Sequence, residues 1–210
     1  MAFDELWEQT HQTKLWGQYP NEQFTFFMRR LGPDTREERK NFQVLDVGCG
    51  QGANTVFLSR EGYAVTALDA APSALFRLYN RLKDDGLGGQ LVRADLTQPL
   101  EFPGDGFDVV VDVHSSCYGT TEEVCKTIKE LHRVLKPGGV LFCMMPKAGC
   151  ANEHFSGKGV CTFASHEQIR EWFSVFYGYS LMATICVDYH NNEELKPFLE
   201  TWTIEARKSV

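Results

Sequence analysis

No stretch of this chain approaches the roughly 18 consecutive apolar residues that suggest a membrane-spanning helix. Its opening, Met1-Ala2-Phe3-Asp4-Glu5, lacks the basic and apolar regions of a secretory signal. An excess of positive charge is missing too: 21 Lys and Arg against 28 Asp and Glu leave a formal net charge of -7. Broad adhesion to phosphate backbones or anionic lipid draws on a basic field, so neither nucleic acid nor membrane is the expected partner. Internal repeats and low-complexity segments are absent. Seven cysteines, an odd number, do not make a disulfide framework, and Cys143 and Cys186 lie inside apolar runs where a thiol behaves as a small buried hydrophobe. Together these features predict a cytoplasmic protein with reduced thiols.

What is present suffices for one globular unit. A chain of 210 residues with 43% hydrophobic and 23% charged side chains can bury a full core and fold as a single domain over 1–210. Residues 1–40 read as a helical preface carrying Trp7, Trp16, Tyr19, Phe24, Phe26 and Phe27, closed by the turn-rich, charged stretch from Gly32 to Lys40. From residue 41 onward, apolar β-favouring runs alternate with segments of helical period. Strands are expected at Phe42 to Val47, Ala64 to Leu68, Gln90 to Ala94, Phe107 to Val113 and Val140 to Met145, with helices at Ala53 to Glu61, Pro72 to Lys83 and Thr121 to Leu135. Pro72 suits a first helical turn, Thr120 or Thr121 an N-cap, and Gly138-Gly139 a sharp helix stop. Strands apolar throughout and separated by helices indicate an α/β, doubly wound, mostly parallel sheet with helices on both faces. The tail departs from that rhythm: a helix at Ser165 to Phe176, then strands at Tyr179 to Tyr189 and Glu200 to Lys208, which lack an intervening helix and so are most simply antiparallel.

The first strand delivers Gly48-x-Gly50-x-Gly52 into a helix, placing glycine where the turn needs unusual dihedrals and where backbone must approach a ligand. Gly48-x-Gly50-x-x-Ala53, with Asp69 ending the second strand, also satisfies a dinucleotide fingerprint, so spacing alone does not choose the cofactor. Asp46 leans toward a methyl donor: a carboxylate there can meet the cationic amino group of a methionine moiety, whereas it would repel a pyrophosphate. The only Tyr-x-x-x-Lys, Tyr79 to Lys83, lies too early for the catalytic pair of a short-chain dehydrogenase.

The segment Val44-Leu45-Asp46-Val47-Gly48-Cys49-Gly50-Gln51-Gly52 resembles the first motif of the class I (Rossmann-like) S-adenosylmethionine-dependent methyltransferases, small-molecule type. Val65 to Ala70, Arg93 to Leu96, Phe107 to Val111 and Leu131 to Gly139 follow in that family's order. The resemblance implies a seven-stranded sheet whose last strand runs antiparallel, and S-adenosyl-L-methionine as cofactor. It further implies that Asp46 and Gly48 face the donor's amino-acid portion, that Asp69 takes both ribose hydroxyls, and that Asp95 and Leu96 contact the adenine. Cys49, Gly50, Ala70 and Val113 complete the donor-binding set, and Trp16 and Tyr19 of the preface are lid candidates. For Asp69 the chemistry is apt, because a carboxylate only accepts and can pair with two donors side by side.

Methyl transfer from a sulfonium is an in-line displacement, so the protein chiefly aligns donor and nucleophile and excludes water. If an acceptor needs deprotonation, candidates lie beyond the fourth strand, in Asp112 to Tyr118: His114 as the base and Tyr118 to orient the acceptor, with Cys117 a filler or a nucleophile. The long segment from Pro146 to Ser165 is a further candidate for the acceptor site. Within and beside it, Cys150, His154, Cys161 and His166 could in principle hold zinc or a soft acceptor such as arsenic, but their spacing is wider than paired structural ligands, and no metal is assigned. The expected function is methylation of an N, O or S atom of a small molecule; a protein, peptide or RNA acceptor, or a non-catalytic donor-binding subunit, are the alternatives.

Overall fold

The computed structural model describes residues 2–15, 17–149, 161–187 and 197–210. Its centre is a seven-stranded sheet ordered β3-β2-β1-β4-β5-β7-β6. The strands are β1 (Gln43–Val47), β2 (Ala64–Asp69), β3 (Gln90–Arg93), β4 (Phe107–Val113), β5 (Leu135–Pro146), β6 (Gly178–Val187) and β7 (Pro197–Arg207). β1 through β5 pair in parallel, whereas β7 runs antiparallel between β5 and β6, as the helix-free connection in the tail predicts. Among the described residues seven α-helices accompany them: α1 (Ala2–Thr13), α2 (Glu22–Leu31), α3 (Arg36–Arg39), α4 (Ala53–Glu61), α5 (Pro72–Asp84), α6 (Thr121–Val134) and α7 (His166–Trp172). Among the described residues no helix is long and apolar enough to cross a membrane.

Side chains alternate between the faces of a strand, and both faces of β4 and β5 are apolar. Val110, Leu141, Cys143 and Met145 pack with Val124, Ile128 and Leu131 of α6 and Trp172 of α7. Val109, Val111, Phe142 and Met144 pack on the other face with Phe24, Phe27 and Met28 of α2 and Leu58 of α4. The two layers of a doubly wound fold follow. α2 is thus part of the core: its Asn21 cap accepts from the Gln23 and Phe24 amides, and Phe24 and Phe27 sit 5.6 and 4.9 Å from the Phe142 ring. Burying each such side chain is worth about 1.5–3 kcal/mol.

Several boundaries differ from the sequence expectation: α7 ends at Trp172 rather than Phe176, and β7 begins at Pro197 rather than Glu200. The charged stretch before β1 contains the single-turn α3, closed by a capping box between Thr35 and Glu38. The Pro137-Gly138-Gly139 run does not sit in a loop after α6 but inside β5, because Leu135 pairs directly with Phe107 and the ladder resumes at Val140 after a register shift. Expected features that hold include the Thr120 capping box of α6 and Pro72 in the first turn of α5.

The order of strands puts the reversal of connection between β1 and β4, and there the glycines decide the packing. Gly52 caps α4 with φ 86°, and a Cβ on it would lie 2.2 Å from Leu78 Cδ1, on a fully buried residue. Left-handed strain and overpacking therefore add at this position, and Gly52→Ala is expected to lower unfolding free energy by about 2–4 kcal/mol in urea titration. A loss under about 1 kcal/mol would contradict this packing.

Candidate active site

Parallel register lines up the carboxyl ends of β1, β2 and β4, where open α/β sheets place their ligands: Val47 stands opposite Leu68 on one side and Asp112 on the other. The loop leaving β1 crosses this edge with Gly48, Gly50 and Gly52 all at positive φ. A Cβ on Gly48 would lie 2.1 Å from the Ser115 hydroxyl, which itself donates to the Gly48 carbonyl at 3.2 Å. The glycine loop and the turn after β4 therefore fit only with no side chain between them.

Asp69, ending β2, is buried and accepts the Gly50 amide on one oxygen at 2.8 Å and the Ala71 amide on the other at 2.9 Å. Burial pushes its pKa up, against these amides and the nearby His11. Its two oxygens offer about four acceptor positions, so two remain for further donors. Asp46 lies beneath the loop on the α4 side, almost fully buried, and accepts the Thr55 hydroxyl at 2.6 Å. Burial raises its pKa to about 7, offset in part by hydrogen bonds from Thr55 and Asn54 and reinforced by the charge of Asp69. The Cys49 thiol is buried and pushed up by desolvation, and its amide donates to the Leu68 carbonyl at 2.9 Å.

Other expected donor positions divide. Ala70 follows Asp69 directly and Val113 ends β4, both half-buried on this edge. Asp95 spends one carboxylate oxygen on the Thr97 amide and hydroxyl, both at 2.8 Å, which leaves the second oxygen uncommitted to that turn; Leu96 is buried in the α6-side core and its carbonyl accepts from Thr127. Tyr19 is not brought to Asp69: it is 86% exposed, on a groove of about 300 Å³ shared with Ala53, Val56 and Phe57 of α4. Trp16 lies outside the described residues, as do Cys150 and His154; among the described residues no three potential metal ligands cluster.

The preface reaches the site through residues that sequence reading passed over. α1 lies across the glycine loop, with the His11 ring 3.5 Å from where a Cβ on Gly50 would stand. His11 Nδ1 lies 3.2 Å from Gln51 Nε2, which also donates to the Lys14 carbonyl at 2.8 Å. Burial lowers the pKa of His11 despite the charges of Asp69 and Glu8. Glu8 accepts the Ser73 amide at 3.0 Å and its hydroxyl, tying α1 to the start of α5. Trp7 meets the Tyr118 ring edge-on at 4.9 Å. A helical i, i+4 pair of Trp7 and His11 was the available signal.

Beyond β4 the turn is organised by Asp112, fully buried, which accepts the Ser115 and Ser116 amides at 3.0 and 3.1 Å and whose pKa is raised by desolvation. His114 takes φ 57°, a strained conformation for a side-chain-bearing residue. Its amide is held by the Met144 carbonyl at 2.9 Å, and burial lowers its pKa to about 4. Desolvation pushes the Tyr118 hydroxyl upward. The structure thus brings His114 and Tyr118 to the same edge as Gly48 and Asp69.

This stretch coincides with what the chain shares with known proteins. A methyltransferase domain model matches residues 44–139. Ribosomal RNA small subunit methyltransferase C of Alcanivorax borkumensis is 34% identical over 100 residues, 48% of this chain and 31% of that protein. Demethylmenaquinone methyltransferase of Tropheryma whipplei is 37% identical over 100 residues, 47% of this chain and 39% of that protein. These matches span well under half the length of those relatives. The solved magnesium protoporphyrin IX methyltransferase from Synechocystis PCC 6803, with bound SAH, shares the fold at a TM-score of 0.66 and 16% identity, over 99% of this chain and 86% of that one. With the motif order, the glycine loop and the seven-stranded sheet in agreement, residues 44–139 form a methyltransferase domain of the class I, Rossmann-like, S-adenosylmethionine-dependent kind.

Proposed function

We propose that the protein transfers the methyl group of S-adenosyl-L-methionine to an N, O or S atom of a small molecule, acting as one unit in the cytoplasm. The observation that carries the donor assignment is Asp69, a buried carboxylate anchored by two backbone amides with two acceptor positions left for a pair of neighbouring hydroxyls. Gly48 and Gly50 leave the backbone bare beside it, and Asp46 stands below as counter-charge for an ammonium group. Asp95 and Leu96 would border the adenine, with Cys49, Ala70 and Val113 lining the edge between. When bound, the donor supplies a sulfonium methyl group already activated for displacement; alignment and exclusion of water fall to the protein. α1 supplies cover through Trp7 and His11, in addition to the lid candidates Trp16 and Tyr19.

A small acceptor is favoured by the net charge of -7 and by the demethylmenaquinone-type relative. An RNA acceptor, as the name of the Alcanivorax relative would suggest, calls for a basic field that the overall charge does not supply. The matched stretch contains His114 and Tyr118 but ends at residue 139, so the segments that follow β5 lie outside it. His114, neutral down to about pH 4, offers a lone pair to the acceptor's proton; its low basicity suits orienting a proton-bearing nucleophile more than fully deprotonating it. Tyr118 completes that wall.

Three outcomes test this reading. In calorimetry with S-adenosylhomocysteine, Asp69→Ala should weaken binding about 100- to 10,000-fold, the worth of two charge-assisted hydrogen bonds, and Trp7→Ala should weaken it several-fold; unchanged affinity in Asp69→Ala removes the donor site from this edge. Asp46, with its pKa near 7, must ionise to meet the donor's ammonium. Binding should therefore tighten as pH rises from about 6 to about 8, with about one proton released on binding at the acid end and almost none at the alkaline end. Asp46→Asn should flatten that profile. Without donor the sign is opposite: a buried acid whose folded pKa is raised lowers stability as pH climbs from the unfolded value toward 7. Finally, His114→Asn, which tolerates the left-handed backbone, should cut kcat about 10- to 100-fold with donor affinity within about twofold, and wild-type kcat should show no ionisation near pH 6.5.

A further inference from the structure

Cys117 follows the His114 turn and is 2% exposed. The segment entering α7 is stitched to it: the Thr162 amide donates to the Cys117 carbonyl at 2.8 Å, and the Thr162 hydroxyl to the Gly119 carbonyl at 2.6 Å. That register brings Cys161, half-buried, against the core cluster containing Cys117, with the two thiols near enough to influence each other's ionisation. The far side of the segment is equally fixed, with Ala164 donating to the Pro146 carbonyl at 2.9 Å and accepting from Trp202 Nε1 at 2.7 Å. Hydrogen bonds on both sides of Cys161 thus tie its segment to the loop that carries Cys117.

We propose that Cys117 and Cys161 form a peroxide-sensitive thiol pair that closes to a disulfide. The outer sulfur, Cys161, attacks the O–O bond of a hydroperoxide and becomes a sulfenic acid, with hydroxide leaving and taking up a proton to give water. The Cys117 sulfur then displaces the sulfenic oxygen, which departs as a second water while Cys117 gives up its thiol proton. With hydrogen peroxide the sum is two thiols and one peroxide to one disulfide and two waters. The asymmetry of the pair suits these roles: the neighbouring Cys117 thiol stabilises the Cys161 thiolate and lowers its pKa, while the buried Cys117 stays protonated until called on. The bridge would pin the segment leading into α7 to the loop that carries His114 and Tyr118; only this consequence for methyl transfer rests on the function proposed above.

Peptide mapping decides it without donor or acceptor. Trypsin places Cys117 in residues 94–126, Cys161 in 159–170 and Cys150 in 148–158. After treating the full chain with hydrogen peroxide and blocking residual thiols with N-ethylmaleimide, the first two peptides should appear joined, lighter by two hydrogens, and separate on adding dithiothreitol. Because 94–126 also holds Cys125, the same joined pair should persist in Cys125→Ser and vanish in Cys117→Ser. Blocked, unlinked Cys117 and Cys161 after peroxide, a bridge from Cys161 to Cys150, or Cys161 carried on to sulfinic acid would each overturn the proposal.

Discussion

One buried carboxylate organises the cleft. The Gly50 and Ala71 amides converge on Asp69 from two different turns, the loop leaving β1 and the entry to α5, and a charge away from water is tolerable only with such partners. Because β1 and β2 are neighbours in parallel register, this single group fixes how far the glycine loop stands from the second strand. Gly48 then sets the distance to the turn after β4, where any side chain would collide with Ser115. The site is a consequence of these two contacts.

A second carboxylate repeats the logic on the opposite face. Asp112 holds the Ser115 and Ser116 amides as Asp69 holds those of Gly50 and Ala71. The strain at His114 is sustained between that grip and the Met144 carbonyl, which is how a stiff, unfavourable backbone can present one imidazole at a defined place.

Much of this was legible before any coordinates. β1, β2 and β4 are apolar throughout because both faces are covered, and that continuity marks a parallel sheet. Gly48, Gly50 and Asp69 carried the loop and its anchor in spacing alone, and Thr120 with Glu123 announced the start of α6. What stayed hidden depends on partners distant along the chain. Glu8 reaches Ser73, and Trp7 reaches Tyr118; apart from the helical spacing of Trp7 and His11, nothing local to α1 encodes those meetings. Tyr19 is an exposed aromatic of the preface, as is Phe26. Pro137-Gly138-Gly139 misled for a related reason: local turn chemistry was overridden by the pairing of Leu135 with Phe107 and by Lys208, whose ammonium donates to the Leu135 carbonyl at 2.7 Å. The contact between Cys117 and Cys161 is likewise invisible in a spacing that suggested only loose metal ligands.

The place of β7 between β5 and β6 bears on how the protein is made. As the chain emerges from the ribosome, β1 to β5 can zip together in turn, each βα unit finding its neighbour already present. β6 cannot, because its only partner in the sheet is the strand that follows it. Until β7 is released and slides between them, β5 and β6 both display open edges, the form of exposed backbone most prone to pairing with another chain. The nascent protein is therefore most vulnerable to self-association between the emergence of β6 and that of β7, with its ligand-binding half already shaped.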